Sequence, residues 1–131
     1  LLAIQFAKNQ GQLAEYIAHD IKTMAPINLR MRQIIEKTGI PKMAMVALFD
    51  RTACHYGLAL TSTGDGNSRT WKDPFGWVLI QSHKIGQFDL TSQEIHETWT
   101  TPRLLGYGAA MGVKLKVTPW QDDGMISCSL A

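Results

Sequence analysis

The sequence VKLKVT at residues 113–118, followed by DDGMISCSL at residues 122–130, decides the fold class. In the first run, apolar residues alternate with two lysines and a threonine, which is typical of a strand with one face buried and the other in water. In the second run, Ile126, Cys128 and Leu130 share one side. Because Asp-Asp-Gly between the runs favours a turn, the two runs predict an antiparallel hairpin.

Two helices are predicted at the start of the chain. Apolar residues recur at spacings of four and seven over residues 2–24, which indicates an amphipathic helix that is weakened or bent at Gly11. Pro26 interrupts this pattern, and a second helix continues through Ile35 until Gly39 supplies a stop signal. We therefore expect two helices before the first strand.

The middle of the chain is predicted to be mostly strand and loop. Residues 43–49 and 56–61 are nearly continuous apolar runs, which we interpret as paired central strands joined by a turn at residues 50–52. Residues 62–76 contain three glycines, a proline and few aliphatic side chains, which predicts a long loop. Residues 77–82 then predict another strand.

Two further helices are predicted before the hairpin. Thr91 lies three residues before Glu94, a spacing that caps a helix start, and the first of these helices extends through Trp99. Pro102 opens the second helix, and Gly112 ends it. The predicted fold class is α+β, with an antiparallel sheet of about five strands, two N-terminal helices and two helices before the C-terminal hairpin.

Length and composition indicate one domain over residues 1–131. The chain has 131 residues, of which 45% are hydrophobic and 18% charged, enough apolar material for one core. Because it begins at Leu1 without methionine, we expect a fragment of a longer chain. With no apolar run of about 18–20 residues and no signal-peptide pattern, we expect a soluble, cytoplasmic protein with no membrane span.

Charge and cysteine content narrow the classes of partner. The net charge of +2, from 13 basic and 11 acidic residues, is too small for the strong positive field that nucleic-acid binding needs, so we find no strong nucleic-acid signal. Cys54 and Cys128 both lie in apolar runs, where a cysteine usually behaves as a small buried hydrophobe. This usage fits a reducing compartment, and a single disulfide between the two cysteines stays open as the alternative.

Aromatic and basic residues interleave between residues 69 and 77, and further aromatic residues lie near the ends of later elements. Such residues can line a ligand pocket or stack single-stranded bases, although aromatic residues beside a Pro-Gly loop more commonly pack over a sheet edge. The candidate ligand-binding residues are Arg69, Trp71, Asp73, Trp77, Trp99 and Tyr107.

An enzymatic alternative uses Cys54 as a nucleophile, His83 as its base and Asp89 or Glu94 to orient the imidazole. Against it, the sequence after Cys54 is strand-like, whereas a nucleophilic cysteine usually precedes a helix. A metal site would draw on the following residues, which lack the spacing of familiar zinc sites: His55, His83, His96, Asp89 and Glu97. We therefore expect no metal and no cofactor.

The closing stretch, residues 106–119 and then 123–127, resembles the end of GAF-like sensor domains and of quorum-sensing receptor ligand domains. In those domains a helix ends at a glycine and leads into two antiparallel strands. The resemblance covers the final quarter of the chain and places no binding residue, so it assigns no family.

Taken together, these patterns favour a non-enzymatic, sensor-like domain. We expect it to bind a small molecule or a protein partner through a groove between helices and sheet and through residues 62–77. A cysteine-dependent hydrolase or acyl transferase using Cys54, His83 and Asp89 is the first alternative. A protein-interaction module of a larger assembly is the second, and homo-oligomerisation stays open.

Overall fold

The computed structural model describes residues 1–50, 60–62 and 65–131, and in these ranges it shows helices and an antiparallel sheet. The helices are α1 (Leu2–Asn9), α2 (Leu13–Thr38), α3 (Met43–Met45), α4 (Gly76–Lys84), α5 (Ser92–Ile95) and α6 (Thr101–Ala110), with π-helical turns at Val46–Asp50 after α3 and at His96–Thr100 between α5 and α6. The strands are β1 (Leu60–Ser62), β2 (Ser68–Lys72), β3 (Leu115–Val117) and β4 (Met125–Leu130). The predicted α+β class with an antiparallel sheet is therefore confirmed.

The sheet has the order β1-β2-β4-β3, and each neighbouring pair is antiparallel. The predicted C-terminal hairpin is present, since β3 pairs with β4 and places Lys116 opposite Ser129. The longest pairing joins β2 to β4, where Arg69 lies opposite Cys128 and Trp71 opposite Ile126. Strand β2 is therefore an interior strand of the sheet.

The two faces of the sheet differ in chemistry. The side chains buried on the inner face come from β2, β3 and β4: Arg69, Trp71, Leu115, Ile126 and Cys128. The outer face carries hydroxyl groups and lysines, including Thr70, whose Oγ1 atom lies 2.7 Å from Ser127 Oγ. This alternation follows the two-residue period of a strand, and it directs the helices to one face of the sheet.

Helix α2 continues through Pro26, so the expected interruption at this residue is wrong. The break lies instead at Gly11, between α1 and α2, where the backbone has a φ of 66°, a conformation that favours glycine. Side chains of α2 are buried on both sides of Pro26, at Ile17 and Ile35, and we infer that this packing holds the helix together despite the missing N–H group. In the described ranges, no helix combines the length and the apolar character that crossing a lipid bilayer requires.

Two glycines let α6 approach its neighbours closely. A Cβ atom at Gly106 would lie 2.4 Å from Ile21 Cδ1 of α2, and one at Gly108 would lie 2.6 Å from Leu115 Cγ of β3. Any larger side chain at either position requires a shift of its neighbour. Helix α6 is thus packed between α2 and the inner face of the sheet at β3.

The prediction of a strand at residues 43–49 is wrong, because this run is helical. A continuous apolar run fits a buried helix as well as a buried strand, and periodicity alone does not separate them. Here Ala44, Met45, Leu48 and Phe49 are the buried residues, a helical spacing. The strand predicted to pair with this run lies mostly outside the described residues, and only Leu60–Ser62 is described as β1.

Residues 62–82 differ most from the prediction. The expected loop at 62–76 contains β2, and the strand expected at 77–82 is helix α4. Strand β2 lacks an aliphatic alternation because its inward positions are Arg69 and Trp71. The described sheet therefore has four strands rather than about five.

The predicted helix starts near the hairpin are confirmed. The Thr91 side chain accepts a hydrogen bond of 3.0 Å from the backbone N–H of Glu94 at the start of α5. Pro102 lies in the first turn of α6. The π-helical turn joins α5 to α6, so the two predicted helices form one continuous helical run.

Two tryptophans offer a matched test of this core. Trp71 is 1% exposed, with its ring 5.3 Å from that of Phe49, whereas Trp77 is 74% exposed. We expect Trp71→Ala to lower the free energy of unfolding by about 3–5 kcal/mol, because it leaves a large cavity. We expect Trp77→Ala to change it by less than about 0.5 kcal/mol. Urea unfolding followed by circular dichroism measures both, and equal losses in the two variants would contradict this core.

Candidate functional site

The six candidate ligand-binding residues do not converge on one pocket. Arg69 and Trp71 point into the core from β2, where Arg69 is 5% exposed. The Nε and Nη2 atoms of Arg69 donate to Asp50 over 3.1 and 2.8 Å, and this pairing raises the pKa of the guanidinium. Both side chains therefore support the fold from inside and present no surface to a ligand.

Asp73 belongs to the turn between β2 and α4. Its Oδ1 atom accepts the backbone N–H of Phe75 over 3.2 Å, and its own N–H donates to the carbonyl of Gly124 over 2.8 Å. These bonds end the strand and fix the chain direction at the start of the helix. Asp73 thus positions α4 relative to the hairpin turn.

Trp99 and Tyr107 do lie close together, on either side of Arg103. The guanidinium carbon of Arg103 is 4.1 Å from the Trp99 ring centroid and 5.4 Å from that of Tyr107. Asp20 of α2 accepts a hydrogen bond from the Tyr107 hydroxyl and pairs with Arg103. Burial, followed by the bond to Asp20, raises the pKa of Tyr107 to about 12.

This cluster joins two helices and has little free capacity for a ligand. Asp20 comes from α2, and both Arg103 and Tyr107 come from α6. The Tyr107 hydroxyl also accepts a hydrogen bond from Arg103 Nη2 over 3.1 Å. The cation is thus held by a carboxylate and by two aromatic faces, an arrangement that fixes α6 against α2.

The proposed catalytic set is only partly described. Cys54 lies outside the described residues. The Nε2 atom of His83 lies 2.6 Å from the carbonyl oxygen of Leu90, to which it donates. Asp89 accepts from Gln5 over 2.7 Å and lies 3.1 Å from Lys8 Nζ, and Glu94 also binds Lys8. These two carboxylates therefore anchor α1, and no described hydrogen bond joins either of them to His83.

The histidines considered as metal ligands are separated in the same way. His55 lies outside the described residues, and His96 is buried beside the hairpin, with Nε2 donating to the Thr118 carbonyl over 2.8 Å. Among the residues that the structure describes, no group of three histidine, cysteine or carboxylate side chains could hold a metal ion. The Cys128 thiol is free and buried, and burial raises its pKa to about 12.

An open groove lies between the start of α2 and the helical run from α5 to α6. Its volume is about 460 Å³, and its lining is almost entirely apolar. The lining residues are Leu13, Ala14, Ile17, Thr98 and Pro102. Thr98 is the polar side chain among them, so the groove offers few groups that could orient a ligand.

Helix α4 carries the most concentrated apolar surface of the described chain. Leu79 and Ser82, three residues apart, point into the core. Exposed apolar side chains of α4 and of the residue that follows it form a set that we name the α4 patch: Trp77, Val78, Ile80 and Ile85. Four of the ten exposed large apolar residues of the described ranges lie in this short segment, and Trp77 and Ile85 are more than 70% exposed. Of these four, sequence reasoning identified Trp77 alone.

A sequence signal for α4 was present at its two ends. Asp73-Pro74 supplies a turn residue and a proline just before the helix, and Gly86 follows it. Between those boundaries, the four consecutive apolar residues Trp77 to Ile80 would point in all directions around a helix axis. Such a helix is ordinarily buried on all sides, which α4 is not.

The comparisons with known proteins add no family to this description. No protein-family model, no curated protein and no solved structure matches the chain.

The Arg69–Asp50 pair is predicted to be structural. Asp50→Asn removes the charge that neutralises a buried guanidinium, and we expect it to lower the free energy of unfolding by at least about 2 kcal/mol. The matched control is the exposed Arg32–Glu36 pair, whose nitrogen and oxygen atoms are 2.8 Å apart. Glu36→Gln should cost less than about 0.5 kcal/mol in the same chemical denaturation experiment. Similar losses in the two variants would contradict a structural role for Asp50.

The attachment of α1 should weaken in acid. The hydrogen bond from Gln5 is the largest cause that holds the pKa of Asp89 below its ordinary value, and the hydrogen bond from Lys8 is the next. A carboxyl with a depressed pKa stabilises the fold above its unfolded pKa of about 3.9, and this contribution is lost as the pH falls through the folded value. We therefore expect Asp89→Asn to lower the urea midpoint at about pH 6, with a difference from wild type that narrows as the pH falls below about 4. Asp122→Asn, in the exposed hairpin turn, is the control, and a pH-independent difference for Asp89→Asn would argue against this assignment.

Proposed function

We propose that this domain is a non-enzymatic binding module that takes a partner protein on the α4 patch. The carrying observation is the exposure of Trp77, Val78 and Ile80 on α4 and of Ile85 directly after it, while Leu79 and Ser82 of the same helix are buried. Contiguous exposed apolar surface is costly in water and often marks an interaction site. The sequence predicts either a small-molecule ligand or a protein partner. A protein partner is retained here, and its binding site is α4 instead of the groove and residues 62–77.

The composition of the patch suits a protein interface. Tryptophan is enriched among the residues that contribute most to binding, and aliphatic neighbours exclude water around it. Full burial of a large apolar side chain stabilises a complex by about 1.5–3 kcal/mol. Four such side chains can offset a substantial part of the cost of association, provided that the partner presents a complementary apolar surface.

A small ligand in the groove between α2 and the α5–α6 run is the second candidate. The volume of about 460 Å³ lies within the range of known ligand pockets. Its lining offers Thr98 as a polar contact, and the nearby Arg103 is already paired with Asp20. The groove therefore supports a small-molecule site less strongly than the α4 patch supports a protein interface.

The hydrolase alternative stays a prediction, because Cys54 lies outside the described residues. The other members of the proposed set are engaged elsewhere: His83 with the Leu90 carbonyl, and Asp89 with Gln5 and Lys8. If His83 served Cys54 as a base, Nε2 would keep its bond to the Leu90 carbonyl and Nδ1 would be the nitrogen that accepts the proton.

Site-specific photo-crosslinking in cells tests the proposal. A benzophenone amino acid in place of Gln81, which lies between Trp77 and Ile85 on the patch side of α4, should capture a specific protein. The same amino acid in place of Glu36, on the exposed side of α2, should not. We expect Trp77→Ser together with Ile80→Ser to reduce the captured yield at least about fivefold, because the side chains that bury the most area are gone.

The matched control removes exposed apolar side chains elsewhere. Leu2→Ser together with Phe6→Ser changes two exposed residues of α1 and should leave the yield unchanged. The melting temperature of each variant confirms that it is folded. The proposal would be refuted if the crosslinked yield from position 81 did not exceed that from position 36. Equal yields in the two double variants would also refute it.

A further inference from the structure

Strand β3 lies at one edge of the described sheet, and its hydrogen bonds show which backbone groups are free. The Lys114 carbonyl accepts from the N–H of Ala131, and the N–H of Thr118 donates to the carbonyl of Ser127, both over 2.9 Å. In an antiparallel pair, the residues whose backbone N–H and C=O groups point toward the neighbouring strand alternate along the chain. The backbone groups of Lys116 therefore also point toward β4. The N–H and C=O groups of Leu115 and Val117 therefore point away from the sheet.

The strand opposite confirms this alternation. Leu130 is the register partner of Leu115, yet its N–H donates over 3.0 Å to the carbonyl of Asn67, on the β2 side. None of the described hydrogen bonds uses the outward groups of Leu115 or Val117. An edge with free donors and acceptors is a template for an added strand.

The side chains at this edge are cationic. Lys114 and Lys116 are exposed, and they alternate with the inward residues Leu115 and Val117. None of the four described strands contains an aspartate or glutamate. Asp122 and Asp123 lie in the turn that joins β3 to β4.

These charges decide which strand can be added. If β3 of a second copy paired with this edge, the lysines of the two copies would lie on the same face, and like charges on opposed strands are destabilising. A strand with carboxylates at alternate positions would instead place opposite charges beside Lys114 and Lys116. The same lysines that oppose self-pairing therefore favour an acidic strand.

We propose that β3 is a second binding surface, which accepts an extended acidic segment of another protein as a fifth strand beside Leu115–Val117. The outward N–H and C=O groups of Leu115 and Val117 supply the backbone bonds. Lys114 and Lys116 supply specificity for glutamate or aspartate at alternate positions of that segment. This surface is separate from the α4 patch, so either proposal can fail without the other.

Fluorescence anisotropy with labelled synthetic peptides tests the proposal. The probe is a short peptide in which glutamate alternates with valine, and its control has lysine in place of each glutamate. We expect the acidic peptide to bind at least about tenfold more tightly than the basic one. Lys114→Glu together with Lys116→Glu should reverse this preference. The charge-matched control is a separate variant that carries Lys22→Glu and Lys37→Glu, both on α2. This variant should still prefer the acidic peptide.

A second variant separates strand addition from charge alone. Val117→Pro removes one outward N–H group and leaves the bonds to β4, a position where an edge strand tolerates proline. We expect it to keep its melting temperature within a few degrees and to lose acidic-peptide binding about tenfold. Should Val117→Pro unfold the protein, the charge-reversal pair still decides the outcome.

Several results would overturn the proposal. The first is equal binding of the two peptides, and the second is an unchanged preference after charge reversal. The third is undiminished peptide binding by a folded Val117→Pro variant. The fourth is a dimer of this chain whose stability changes in Lys114→Glu. Tighter, lysine-dependent binding of a single-stranded oligonucleotide than of the acidic peptide would also overturn it, because the edge would then serve a different class of polymer.

Discussion

The contact between the inner face of β2 and the end of the helical run at residues 43–50 is the one on which the remaining structure depends. Trp71 packs against Phe49 with ring centroids 5.3 Å apart, and Arg69 binds Asp50 through two hydrogen bonds. The consecutive residues Phe49 and Asp50 therefore contact two strand residues that lie on the same face of β2. The first contact is apolar and the second is an ion pair. A slip of β2 by one residue would turn both side chains to the outer face and leave Asp50 without its cation.

Buried pairings of this kind explain why a sequence rich in candidate residues yields few side chains that are free to bind a ligand. Arg69 and Trp71 serve the core, and Trp99 and Tyr107 hold Arg103 between α2 and α6. Aromatic and basic residues that interleave along a sequence are equally suited to binding a ligand and to neutralising and covering each other inside a fold. Among the described residues, the fold leaves apolar side chains of the α4 patch and a cationic strand edge at β3 exposed to solvent.

The features that the sequence predicts well are those set by neighbouring residues. The hairpin of β3 and β4 follows from alternation around Asp-Asp-Gly, and the start of α5 follows from Thr91 and its bond to Glu94. The continuous apolar runs at residues 43–49 and 77–80 could not be resolved in this way, since both faces of each run are apolar. Strand β2 was hidden because its inward Arg69 looks like a surface residue until Asp50, 19 positions away, is placed beside it. Of the α4 patch, the sequence identified Trp77 but not its companions, because a strand would have placed Val78 and Ile80 on the face opposite to Trp77.

Hydrogen exchange measured by NMR tests the central place of β2 most directly. If the contacts of Trp71 and Arg69 hold the helical run on the sheet, the paired amides of Ser68–Lys72 and Met125–Leu130 should exchange only through global unfolding, with the same free energy as that from denaturant. The amides of the three-residue strand β3 should exchange more readily. Amides of β2 that open at a lower free energy than those of β3 would contradict the account.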